Sequence, residues 1–143
     1  MGNVTILTRK LLILAVTCCF SVSAWSHDLT GKWDLKIEDK NHQLVATLVV
    51  KFASQRARSC VSGDWKRVLV VSATTKDKHF FPVSDPLSFE IENDRMTIGR
   101  NEICDAYLML SGPLSSEGVA GEYYSLGLEG SSPLGAFTLS RKR

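Results

Sequence analysis

The chain has few histidines and cysteines, the residues most often used to hold transition metals. It holds three histidines among 143 residues. His27, His42 and His79 each fall in a turn or at an expected terminus, with no second ligand at metal-binding spacing. It lacks Cys-x-x-C, Gly-x-Ser-x-Gly and a glycine-rich phosphate loop, the marks of redox dithiols, elbow-type hydrolases and nucleotide sites. An excess of one charge is also missing, with 17 basic and 15 acidic residues. Polyphosphate backbones are gripped by clustered Lys and Arg, so a nucleic-acid partner is not expected. Arg141-Lys142-Arg143 is a short basic terminus of the kind that water surrounds. Glu90 and Glu92 share the polar side of one strand, which suits a solvated wall better than acid–base chemistry. No cofactor, no metal and no catalytic residue is expected, and the chain reads as a non-enzyme.

The first 26 residues are short of charge. Arg9 and Lys10 stand alone, followed by an apolar run from Leu11 to Phe20. A bilayer needs about 20 such residues, so the run is too short to span one. Val22 and Ala24 fit a signal-peptidase site that cuts before Trp25, and a cut after Ser26 leaves His27 first. Residues 1–26 therefore read as a secretory signal, the alternative being an uncleaved anchor. The expected location is periplasmic or secreted, with no stable membrane span after cleavage and one domain over residues 27–143. Loss of Arg9 and Lys10 leaves that domain with balanced charge.

Cys18 and Cys19 leave with the signal, and Cys60 and Cys104 remain. An even pair in an exported chain is most simply one disulfide. Closing a loop of about 45 residues contributes about 3–4 kcal/mol in the chain-entropy account.

Helical periodicity is absent after the leader, and alternation with period two takes its place. Trp33, Leu35 and Ile37 alternate with charged residues, as do Leu87, Phe89 and Ile91. Leu44 to Phe52, Trp65 to Val71, Met96 to Ile98, Tyr107 to Leu110, Val119 to Tyr124 and Ala136 to Arg141 complete the set. Asn93-Asp94 is a two-residue hairpin turn, and Gly130-Ser131-Ser132-Pro133 reads as another turn. Pro82 and Pro86 forbid a central strand between them. About eight short strands without long crossovers must pair antiparallel, and they either close into an up-and-down barrel or stack as a β-sandwich.

The ends carry a resemblance. Gly31-Lys32-Trp33 and the closing stretch Gly135-Ala136-Phe137-Thr138-Leu139-Ser140-Arg141 resemble the calycin superfamily of lipocalins and avidins, and small bacterial lipocalin-like domains among them. The resemblance implies a latch in which Arg141 packs across Trp33 beside Gly31 at the closed end. Leu35 and Asp39 stand where avidins place Asn and Ser, so biotin recognition is not implied.

A barrel mouth lined by aromatics is a common small-molecule site, although an eight-stranded interior is also narrow enough to fill itself. The leading expectation is a small, mainly apolar ligand at the open end. Trp65, Phe89, Tyr107 and Tyr123 are its lining candidates, and Arg67 or Arg100 would meet an anionic group. The alternative is a protein-interaction domain, an inhibitor or assembly factor, that uses Phe80-Phe81-Pro82-Val83. The same segment read conservatively is a plug. An enzyme comes third.

Overall fold

A computed structural model describes residues 28–143; the expected signal and its two cut positions lie outside the described residues. Eight strands follow in order: β1 (Trp33–Asp39), β2 (Leu44–Arg56), β3 (Lys66–Thr75), β4 (Leu87–Glu92), β5 (Arg95–Gly99), β6 (Tyr107–Pro113), β7 (Gly118–Gly127) and β8 (Gly130–Arg141). Each pairs antiparallel with the next, and β8 returns to β1, so the sheet closes as an up-and-down barrel rather than a sandwich. Closure pairs the first and last strands, which a meander would otherwise leave as exposed edges.

The period-two pattern sets the inside. Trp33, Leu35 and Ile37 face in from β1, Ala46, Leu48 and Val50 from β2, Met96 and Ile98 from β5, and Phe137 and Leu139 from β8. Leu35, Ile37, Leu48, Met96, Ile98, Leu110, Tyr123, Phe137 and Leu139 are each under 2% exposed. These side chains pack against one another as the core of the barrel. The β4–β5 turn is Asn93-Asp94, and both residues adopt positive φ, 51° and 57°. That left-handed pair matches the right-handed twist of the two strands it joins.

Two local details depart from the sequence pattern. Gly130-Ser131-Ser132-Pro133 is the opening of β8, where Ser131 pairs with Leu126 and Pro133 with Tyr124. Tyr123 pairs with Gly135, so Leu134 is an extra residue and Pro133 sits at a bulge, where its missing N–H is tolerated. On β3 the row that faces in is Lys66 and Val68, whereas Arg67 and Leu69 point outward. Apolar residues occupy both faces of this strand, so alternation alone does not tell which face is inner.

At the lower end, where β1 begins, the chain is latched. Trp33 pairs with Arg141 across the β1–β8 closure. The Arg141 guanidinium lies 4.9 Å from the centre of the Trp33 ring. It donates to the carbonyls of Thr30 and Asp28 and faces the Asp28 carboxylate at 3.3 Å. Gly31, at φ +87°, turns the chain so that Thr30 can accept this bond. Trp33 is 3% exposed, and its indole N–H donates to Leu29 at 3.2 Å. Hydrogen bonds from Thr30, and then the Arg141 charge, hold the Asp28 carboxyl below its ordinary range.

The latch generates a prediction. Arg141→Ala lowers unfolding free energy by about 1 kcal/mol in urea denaturation, the size of a half-exposed cation–π contact. Arg141→Lys recovers little of it, because an ammonium reproduces neither the planar stack nor the fork of donors. Wild-type stability in the lysine variant would contradict this.

Candidate functional site

The six lining candidates separate into three places. Phe89 is 5% exposed inside the barrel, edge-on to Phe52 with ring centres 4.8 Å apart. Tyr123 and Arg100 meet at the upper end. Trp65, Arg67 and Tyr107 stand outside the wall: Arg67 is exposed on β3, and Tyr107 pairs with Leu126 in the outward row of β6 and β7.

Trp65 is buried, at 3% exposed, but on the outer face. Residues 57–65, between β2 and β3, fold back over β4 and β5 as a strap. The Cys60–Cys104 disulfide anchors it to the β5–β6 loop, with Cα atoms 5.6 Å apart, and the Cys60 N–H donates to the Asn101 carbonyl at 2.9 Å. The Trp65 indole N–H donates to Ser62 at 3.0 Å. Gly63, at φ +138°, lets the strap pass between Trp65 and Glu90, where a Cβ would lie 2.7 Å from the indole nitrogen. Beneath it, Ser88, Gly99 and Met109 form one outward row along β4, β5 and β6. Asn101 is fully buried there, and its side-chain amide has no hydrogen-bond partner among the described residues. Burial, and then the nearby Glu92 charge, raise the Glu90 carboxyl above its ordinary range.

The upper end carries the densest polar geometry. The loop between β3 and β4 turns at Asp77, whose carboxylate accepts the N–H groups of His79 and Phe80. That turn drives Phe81 into the barrel, where it is 2% exposed, and lays Phe80 against it. Both rings meet Tyr123 edge-on, at 5.2 and 5.6 Å. The Tyr123 hydroxyl donates to the Phe80 carbonyl. Arg100 pairs with Asp85 at 3.0 Å and donates to the Ala106 carbonyl, which ties this loop to the β5–β6 loop. Phe80 and Phe81 thus form a plug over the upper end. The Arg100–Asp85 pair escaped the sequence reading because nothing in the spacing of an irregular loop brings the two together.

Other concavities lie on the surface. One of about 650 Å³ runs along the outer wall between Arg95, Ser111, Glu122, Tyr124 and Pro133. Another, of about 170 Å³, lies beside the latch at Asp28, Trp33 and Leu114. Among the described residues no cluster of three or more His, Cys, Asp or Glu side chains could hold a metal ion. Among them, too, no helix is long and apolar enough to cross a membrane.

Burial pushes the Tyr123 hydroxyl well above the ordinary phenol range, and the Arg100 charge opposes this more weakly. A raised folded-state value means that the stabilisation is complete below the unfolded phenol pKa, about 10, and is lost as pH rises through the raised one. In an alkaline titration followed by tyrosinate absorbance, Tyr123 therefore ionises only as the barrel unfolds. Full absorbance from all three tyrosines in a folded barrel would contradict the plug geometry. Tyr123→Phe leaves the Phe80 carbonyl without its donor and costs about 1–2 kcal/mol.

No family model, curated protein or solved structure matches this chain.

Proposed function

We propose that this is an exported, non-catalytic, lipocalin-like barrel of the calycin type that works by binding a protein partner through its outer surface. The observation that carries the reading is a contrast. The interior is filled and plugged by Phe81, whereas Leu69, Val70 and Val71 on β3 are 48%, 37% and 48% exposed, next to one another. Apolar residues left exposed in succession along one strand, with no described residue paired to that stretch on one side, are a usual mark of a surface that meets another macromolecule. The Cys60–Cys104 disulfide supports an oxidising compartment, periplasmic or extracellular. The Trp33–Arg141 stack supports the calycin reading, because it is the contact that the resemblance implies.

A second reading, the small and mainly apolar ligand, has one observation in its favour. The upper end is closed by a loop rather than by a strand, and its displacement would uncover the Tyr123 ring beside Arg100.

Native mass spectrometry of the protein purified from its own host separates the two. A stoichiometric protein partner is expected. A retained small molecule overturns the proposal in favour of the second reading, and a clean apo monomer contradicts both.

A further inference from the structure

The barrel has one thin seam. β4 pairs with β3 only at Lys66, Arg67 and Val68, and β3 continues for seven residues, Leu69 to Thr75, beyond the last of these pairs. Those residues other than Val71 pair with β2 on one side. On the other side none of the described residues pairs with them, because the chain from Lys76 to Pro86 turns inward as the plug. Leu69 through Thr74 are all exposed, including Val70 and Ala73, whose partners Val50 and Leu48 face the core. A free strand edge is a template for another strand, and proteins commonly blunt such edges with charge, proline or a strong bend. Between Val68 and Thr75 there is no charge and no proline.

Resting on the protein-partner reading above, we infer that this edge of β3 is the docking site, and that it takes an extended segment of another protein, apolar in its middle and acidic at its ends, as an added antiparallel strand. The added strand would satisfy the free backbone groups, and its side chains would lie beside Leu69, Val70 and Val71.

The charges around the edge choose this occupant. Arg67 is exposed at the lower end, Lys76 and Lys78 at the upper end, and Lys51 on β2 beside Leu69. Asp77, the acidic residue within the upper group, is engaged by its own turn. Antiparallel pairing of the edge with a second copy would set Arg67 against the basic Lys76–Lys78 end, twice by symmetry. An acidic-ended strand meets no such repulsion, and its ends would lie close to Arg67, Lys76 and Lys78.

The probe is a synthetic peptide of alternating Val and Thr with two Glu at each end, compared with the same core ended by Lys. Binding to the full mature protein is measured by titration calorimetry, with amide chemical shifts locating the contact. The acidic-ended peptide binds about tenfold more tightly, the preference shrinks in high salt, and the largest shifts fall in residues 69–75. Val71→Lys weakens binding about tenfold with its melting temperature retained, whereas Ser132→Lys, on another strand, does not. Shifts centred elsewhere, or no preference for acidic ends, overturn the inference. A concentration-dependent dimer abolished by Val71→Lys overturns it in favour of a second copy. A partner that still co-purifies with Val71→Lys refutes the edge and leaves the protein-partner reading intact. Absence of any partner on the wild type refutes that reading instead.

Discussion

Eight strands closed on themselves enclose a space that side chains can fill or that can hold one small ligand, and in this chain inward side chains from β1, β2, β5 and β8 pack it. Leu35, Leu48, Ile98, Phe137 and Leu139 all face inward, and each is almost wholly removed from water. Once that space is full, the other features have to lie at the ends or outside. The latch of Arg141 on Trp33 joins the first and last strands at the lower end. The plug of Phe80 and Phe81 on Tyr123 closes the upper end. The strap fixed by Cys60–Cys104 covers the outer faces of β4 and β5 with Trp65.

The plug and the seam have one origin. A β4 long enough to pair with all of β3 would need the residues before Leu87 to lie extended beside it. They include Pro82 and Pro86, which cannot donate to a ladder and so suit a turn rather than a central strand. The segment bends inward instead, and Phe81 fills the upper barrel. The same bend leaves Leu69 to Thr75 without a neighbour on that side. The segment that packs into the upper barrel is thus the one that leaves this edge of β3 without a neighbour.

Much of the scaffold was legible from residue order. Alternation marked the strands, Asn93-Asp94 marked a hairpin, Cys60 and Cys104 marked the disulfide, and Gly31-Lys32-Trp33 with Arg141 marked the closure. Alternation fails where both faces of a strand are apolar. On β3 it could not say that Trp65 and Arg67 belong outside, because the strap that buries Trp65 is a tertiary event. It could not show that Pro133 is carried inside β8 by a bulge. The Arg100–Asp85 pair and the unpaired stretch of β3 were equally invisible, since which backbone groups lack partners depends on where the next strand begins. The candidate site was therefore legible as a list of aromatic and basic residues, and its division into core, rim and outer wall was not.

Amide hydrogen exchange on the free protein tests this account most directly. Amides of β1, β2 and β8 should exchange only through global unfolding, as expected for a closed and filled barrel. Within Leu69–Thr75, amides bonded to β2 should be slow, and those that point toward the seam should exchange at close to the rate of an unstructured peptide. Uniform protection along the whole of β3 would mean that the seam is closed, and would contradict the account.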